Sequence, residues 1–319
     1  MKILDFETCR KIGKEISPQE IYEWVENTLF NQRNFMMPVK TRMNQAEGDY
    51  YAIMPCMYEP ENLAMVKMIG RHMLKQDEQR SVMMSDLLLY EADTGVLKAV
   101  MDAEYITTLR TGAVAAWSAI KYGAEDFRTV GLIGLGNIMT ACMDVFLPMV
   151  KERNITLKLH KYHEHENRLM ERYKDYSNIS FELYDSYEDV IRDSDIVLSA
   201  LTRATSDFAP NSCYKDGCTI IPIMTLGFQN CDLFFDKVFT DEIEQIRGFK
   251  YFNQFKSIEN TVDVLHYKAK GRENNSERIL VYNYGLATFD LYFAAKFFEF
   301  AKQEDDEMEY RYCSEKFFM

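Results

Sequence analysis

The stretch VGLIGLGNIM, residues 130–139, decides the fold. A short apolar run enters two closely spaced glycines, and a helical pattern opens at Asn137 and Ile138. Gly134 and Gly136 allow a tight turn and let the backbone approach a pyrophosphate, whose charge the free N–H groups of a helix start can hold. The third small residue of a G-x-G-x-x-G pattern is here Met139, so the match is partial. An ordinary strand-to-helix turn is the competing reading, and the surrounding segments decide between the two.

Downstream, strand-like segments at 129–133, 155–160, 179–183, 195–200 and 219–223 alternate with helical segments that begin at Asn137, near His165 and at Ser186. Alternation of this kind predicts parallel βαβ units in a doubly wound sheet. The glycine turn follows the first of these strands, where a dinucleotide belongs. Upstream, Asp102 is placed to cap a helix over 103–122 that carries LRTGAVAAWSAIKYG and stops at Gly123. Between residues 36 and 101 the pattern changes to short strands at 50–54, 63–69, 87–90 and 96–101. Turn signals at Glu47-Gly48-Asp49 and Asp93-Thr94-Gly95 separate them, which predicts an α+β unit with a largely antiparallel sheet. Ser17, Pro18 and Glu20 spell a capping box before Ile21, Trp24, Val25 and Leu29, so a first helix runs to about Arg33. Residues 285–302 form a long helix rich in aromatics (Phe289, Tyr292, Phe293, Phe297, Phe298), expected to complete the first domain and to pack against another domain or subunit.

The chain has 319 residues, 47% of them hydrophobic, enough for two domains with cores of their own. Fifty acidic against 37 basic residues leave a formal charge of −13, which repels nucleic acid in the absence of a basic patch. No apolar run approaches the roughly 20 residues of a membrane span, and MKILDFETCRKIGKE lacks the apolar core of a secretory signal, so the expected address is cytoplasmic, away from membranes. Cys9, Cys56, Cys142, Cys213, Cys218, Cys231 and Cys313 are scattered, odd in number and without a C-x-x-C pair, which predicts reduced thiols in the core. The acidic run 304–307 reads as solvated surface.

Residues 86–136 resemble the ornithine cyclodeaminase and μ-crystallin family. They combine the Asp93-Thr94-Gly95 turn, the Leu109-Arg110-Thr111 helix with its small residues, and the Gly134-x-Gly136 turn in the family's order and spacing. Weaker likeness extends over 37–295, through Met54-Pro55, Lys67 and Gly285-x-x-x-x-Asp290. The resemblance implies an α/β protein: a Rossmann doubly wound parallel sheet at 113–285, and an α+β substrate-binding and dimerisation domain at 1–112 and 286–319, completed by the C-terminal helix. It implies NAD or NADP as cofactor, a small amino or imino acid as substrate, and a homodimer.

The resemblance also assigns residues. Lys67 aligns with a lysine that reaches the substrate carboxylate or its reacting carbon; it stands in the apolar run LAMVKMIG, where an ammonium is costly unless it meets an anion. Arg110 aligns with an arginine whose guanidinium can clamp a carboxylate through two hydrogen bonds; a surface ion pair with Asp102 or Glu104 is the plainer alternative. Thr111 is expected near a cofactor phosphate. PVKTRM offers Lys40 or Arg42 for the substrate carboxylate, with bidentate geometry favouring Arg42. Gly134, Gly136, Asn137, Ile138, Ala200, Thr202 and Met224 would line the cofactor, and Lys161 stands where a cation could meet the 2′-phosphate of NADP. Lys161, His163 and Glu164 read equally as solvent-facing residues. The spacing of His160, His163 and His165 is not that of a common zinc site, so no metal is assigned.

These roles imply an NAD(P)-dependent oxidoreductase acting at the α-carbon of a small amino acid or its imine. Arg110 with Lys40 or Arg42 would hold the carboxylate, and Lys67 would polarise the imine nitrogen or assist proton transfer. Two alternatives stand beside it: ornithine cyclodeamination to proline and ammonia, and a crystallin-like binding protein without catalysis. Cyclodeaminases carry an aspartate just beyond the strand at 219–223. Here IIPIMTLGFQNCD puts Thr225 or Leu226 there, with Asp232 six or seven residues later. A redox-neutral cyclodeamination needs acid/base help at the imine stage, so this departure weighs against it.

Overall fold

Alternating burial along residues 50–71 and 85–102 builds a mixed sheet in the computed structural model, which describes residues 1–45, 48–73, 82–223 and 226–301. Its strands are β1 (Lys2–Leu4), β2 (Thr41–Asn44), β3 (Tyr50–Tyr58), β4 (Leu63–Arg71), β5 (Met83–Glu91) and β6 (Leu97–Asp102), in the order β1-β6-β5-β4-β3-β2. Only β1 pairs in parallel, with β6. On β4, Leu63, Met65, Lys67 and Ile69 are buried while Val66 and Met68 on the opposite face are exposed, the period-2 signature of a sheet covered on one side. The cover is α1 (Phe6–Glu15) together with α9 (Ala287–Ala301), which lies across β3, β4 and β5. Phe289, Phe293, Phe297 and Phe298 of α9 are buried within this unit. The aromatic stripe therefore completes its own unit, and it is no argument for a second subunit. The sequence pattern also omits β1, β2 and α1; Asp5 caps α1 by accepting a hydrogen bond from the Thr8 amide at 2.8 Å.

The second unit takes residues 17–33 and 108–286, and the first takes 1–16, 34–107 and the chain from Ala287. Chain order assigns α2 (Pro18–Phe30) to the first domain, whereas its apolar face, Ile21, Trp24, Val25 and Leu29, is buried in the second unit. There α2 packs on α4 (Asn137–Met149) and α8 (Thr261–Leu265). Its capping box is complete: Glu20 N donates to Ser17 Oγ, and Ser17 N donates to Glu20 Oε2. Eight parallel strands form the sheet: β7 (Thr129–Ile133), β8 (Ile155–His160), β9 (Ile179–Tyr184), β10 (Ile196–Ser199), β11 (Thr219–Pro222), β12 (Lys237–Thr240), β13 (Ile258–Asn260) and β14 (Ile279–Tyr282). Their order is β13-β12-β14-β11-β10-β7-β8-β9, so chain direction across the sheet reverses between β7 and β10. In open parallel sheets ligands bind outside the carboxyl ends of the strands at such a switch point. The remaining helices are α3 (Glu104–Tyr122), α5 (His165–Tyr173), α6 (Tyr187–Ile191) and α7 (Ile243–Ile246).

One half-buried cation knits the amino ends of this sheet. Arg272 donates to the carbonyls of Tyr122, Gly217, Asn274 and Glu277 and to Thr219 Oγ1, each between 2.7 and 3.1 Å. A planar five-donor group suits such a convergence of carbonyls better than any other side chain. Cys9, Cys56, Cys142, Cys213, Cys218 and Cys231 are buried free thiols; Cys313 and the acidic run 304–307 lie outside the described residues. Among the described residues no helix is long and apolar enough to cross a membrane.

Candidate functional site

The two glycines after β7 do different work. Gly134 has φ +80°, and a Cβ on it would come 2.7 Å from the carbonyl carbon of Ala200 and 2.8 Å from Leu201 N. The carboxyl ends of β7 and β10 are thus pressed together main chain to main chain, with Ala200 N donating to Ile133 O at 2.8 Å. Gly136 is the N-cap of α4 in extended backbone, its Cβ position has no atom within 4 Å, and no side chain caps the helix. The result is open space at the start of a 13-residue helix whose first amides have no side-chain cap, an arrangement that suits a pyrophosphate. Asn137 is exposed there and Ile138 partly so.

Met139, at the third glycine position, is fully buried, and close packing passes to another residue. A Cβ on Gly112 would lie 2.5 Å from Cys142 N and 2.7 Å from Ala141 Cβ, so α3 meets α4 backbone to backbone directly after Arg110 and Thr111. Thr111 is partly exposed, as is Ala200; Thr202 is exposed in the loop after β10; Met224 lies outside the described residues. Lys161, past the end of β8, pairs with Asp185 at 2.6 Å between exposed side chains, a weak bond that an incoming phosphate could replace. His163 and Glu164 form a left-handed turn, with φ of 48° and 61°. His160 packs on Tyr187, and His163 and His165 meet Tyr162 edge-on. Among the described residues no three His, Cys, Asp or Glu side chains are grouped to hold a metal ion.

Arg110 is 6% exposed, which removes the surface ion pair as its explanation. Its guanidinium lies against Gly285, where φ is +79° and a Cβ would come 2.9 Å from Nη1. Asp102 is used differently, accepting from the Tyr105 amide at the start of α3. Asp241, one residue past β12, accepts from the amides of Tyr284 and Gly285, and burial raises its carboxyl to about 6 even though these bonds and the charge of Arg110 oppose the rise.

In the first unit Lys67 is wholly buried, with Nζ 3.0 Å from Asp290 Oδ1 and donating to Thr107 Oγ1 at 2.5 Å. Asp290 was assigned no role from the sequence. The available signal was an aspartate within ATFDLYFAAKFF, as costly alone as a lysine within LAMVKMIG; each supplies what the other needs. Arg42 pairs across the ladder with Ala52, and Met54, two residues on, pairs with Lys67, so Arg42 shares the face of Lys67. It is exposed, with its guanidinium 3.8 Å over the Tyr50 ring, while Lys40 is exposed ahead of β2.

Of the two residues at the cyclodeaminase aspartate position, Leu226 is exposed and Thr225 lies outside the described residues. Asp232 is 1% exposed, and its Oδ1 accepts from Tyr282 Oη at 2.6 Å while Oδ2 has no partner among the described groups. Burial pushes its carboxyl up to about 7. It lines a pocket of about 480 Å³ with Thr205, Asp207, Leu226, Phe249 and Lys250.

Two predictions follow from these contrasts. Gly136→Ala leaves the melting temperature unchanged but weakens NADH or NADPH binding at least about tenfold in a fluorescence titration, whereas Gly134→Ala lowers stability by about 2 kcal/mol or more through its left-handed backbone and its clash with Ala200. Unaltered binding of both cofactors by Gly136→Ala would remove the pyrophosphate from this turn. For Asp232, the folded carboxyl keeps a proton that the unfolded chain, with its ordinary value of 3.8, has released, so the protein loses stability as pH rises from about 4 to about 7. Asp232→Asn keeps the acceptor for Tyr282 without the charge. It should be more stable than the parent at pH 8, by on the order of 2 kcal/mol in urea unfolding, with most of the gain gone at pH 5; a gain independent of pH contradicts this.

The model of the ornithine cyclodeaminase/mu-crystallin family matches residues 3–305. The nodulation efficiency protein NfeD of Rhizobium meliloti is 23% identical over 288 residues, 88% of this chain and 89% of its own. An archaeal alanine dehydrogenase dimer with bound NAD superimposes with a TM-score of 0.82 at 22% identity, over 97% of this chain and 99% of that one. Thermococcus litoralis Δ1-pyrroline-2-carboxylate reductase, in complex with NADH and L-proline, gives 0.81 at 22% identity, over 95% and 98%. These likenesses establish the fold, and the family match spans nearly the whole sequence: the chain belongs to the ornithine cyclodeaminase/mu-crystallin family.

Proposed function

We propose that this protein is an NAD(P)-dependent oxidoreductase that acts at the α-carbon of a small amino acid or the corresponding imine. The observation that carries this reading is the open, uncapped start of α4 at Gly136, at the switch point of a parallel sheet. The similar proteins named an alanine dehydrogenase and a pyrroline-2-carboxylate reductase support the substrate class. Gly134, Gly136, Asn137, Ile138, Thr111, Ala200, Thr202 and Met224 would hold the dinucleotide, with Lys161 beside its adenosine ribose. The nicotinamide, when bound, supplies or accepts the hydride.

The chain's own residues supply charge and orientation. Arg110 presents two parallel N–H donors to the substrate carboxylate, and Arg42, or Lys40 ahead of it, adds a second cation. Lys67, its ammonium held by Asp290 and Thr107, favours build-up of negative charge at the substrate and assists proton transfer to or from the nitrogen. The test offers NADH and NADPH with Δ1-pyrroline-2-carboxylate or with pyruvate and ammonia, and NAD+ and NADP+ with L-proline or L-alanine, following absorbance at 340 nm. Turnover is expected with at least one pair. The double variant Lys67→Met/Asp290→Asn, which removes both buried charges together, should lower kcat/KM at least about a hundredfold while still binding cofactor. Cofactor binding without turnover of any pair overturns the reading, and ammonia release from ornithine with no net change in cofactor assigns cyclodeamination instead.

The protein is assigned as a homodimer through the first unit. Helices cover one face of its sheet, while Met43, Val66, Met68 and Met84 stand exposed on the other. An apolar sheet face of this kind is matched by a second copy of itself about a two-fold axis. Light scattering should give the mass of two chains, and Met68→Glu should give one; a monomeric parent protein contradicts the assignment.

A further inference from the structure

Arg110 can meet a carboxylate in a fixed pose only if the surface beneath its guanidinium is fixed. That surface is Gly285, held in left-handed backbone so close to Nη1 that no side chain fits between them. The amides of Tyr284 and Gly285 converge on one carboxylate: Tyr284 N donates to Asp241 Oδ1 and Oδ2 at 3.0 and 2.9 Å, and Gly285 N donates to Oδ2 at 3.2 Å. Asp241 is itself anchored, because Gln32 Nε2 donates to its carbonyl at 2.6 Å and it directly follows the last residue of β12. It is 1% exposed. Two amides sharing a carboxylate need acceptors only; an asparagine would turn an NH2 towards one of them.

We infer that Asp241 is a positioning residue for Arg110, acting through the Tyr284–Gly285 turn to set the pose in which the guanidinium receives the substrate carboxylate. The inference rests on the proposed role of Arg110 in carboxylate binding. Charge supports the same linkage, since the guanidinium favours the ionised form of Asp241 across this turn. An anion beneath the turn also offsets the cost of burying the cation.

The test is a double-mutant cycle on full-length protein, with Δ1-pyrroline-2-carboxylate and NADH as the probe. Asp241→Asn should raise KM about tenfold with kcat changed less than about threefold, and should add nothing in an Arg110→Ala background. Equal losses in both backgrounds would make Asp241 a structural residue and overturn the inference. An Arg110→Ala enzyme with unchanged KM instead overturns the role given to Arg110. Gly285→Ala reaches the same guanidinium without touching Asp241 and should reproduce the KM effect if Asp241→Asn fails to fold. Should the parent protein not turn over this probe, phenylglyoxal modification read by peptide mass spectrometry decides. Arg110 should react at least about fivefold faster in Asp241→Asn and in Gly285→Ala than in the parent, with the exposed Arg10 as unchanged reference; an Arg110 rate that does not move overturns the inference.

Discussion

Main chain occupies the place where a side chain at residue 134 would be. Ala200 and Leu201 stand within 2.8 Å of that position, and the carboxyl ends of β7 and β10 can approach so closely only because Gly134 adopts φ +80° without a Cβ. The arrangement at the carboxyl ends of β7 and β10 follows from this contact. It directs the chain from β7 straight into α4, leaves Gly136 as an uncapped helix start, and puts the loop carrying Ala200 and Thr202 at the same edge of the sheet. The second glycine is under no steric demand from the protein. That asymmetry between the two glycines is why the pair is proposed as a ligand site.

Buried charge is the second organising constraint. Lys67, Arg110, Asp241, Asp290 and Asp232 are all buried in surroundings rich in apolar side chains, where an isolated charge costs several kcal/mol. In the first unit Lys67 is neutralised by Asp290, so its ammonium is kept without being free to wander. In the second unit Asp241 gathers backbone amides next to Arg110 and still has a raised carboxyl. Among the described residues Asp232 meets a tyrosine hydroxyl alone, and its carboxyl rises further than that of Asp241. Stability alone would favour apolar residues at such positions, which is why buried charges of this kind mark candidate functional sites.

Much of this was legible in the sequence where a pattern is long. The alternation of β7 through β11 with helices, the capping box of α2 and the apolar periodicity of α9 each extend over enough residues to show their period. What escaped was short or non-local. β1, β12, β13 and β14 have three or four residues each, and the second unit beyond β11 is joined by brief helical turns without a 3.6-residue rhythm. α2 was misplaced because nothing in a linear reading says which core receives an amphipathic helix. The family resemblance singles out Lys67 and Arg110, but the groups they meet lie 223 and 175 positions away, at Asp290 and Gly285.

Those two distant partners stand close together in the chain, in Gly285-x-x-x-x-Asp290, and physics explains what a glycine and an aspartate do at this interval. Gly285 belongs to the second unit and Asp290 to the first. The glycine closes on Arg110, where any Cβ would collide with Nη1, and the aspartate lies within the first turn of α9 and neutralises Lys67. A carboxylate near a helix amino end is stabilised by the peptide dipoles, which lowers the cost of holding it buried beside an ammonium. The short chain from Gly285 to Asp290 therefore bears on one buried cation in each unit, and replacing the aspartate alone takes the counter-charge from the buried Lys67 ammonium, which costs stability together with any chemistry.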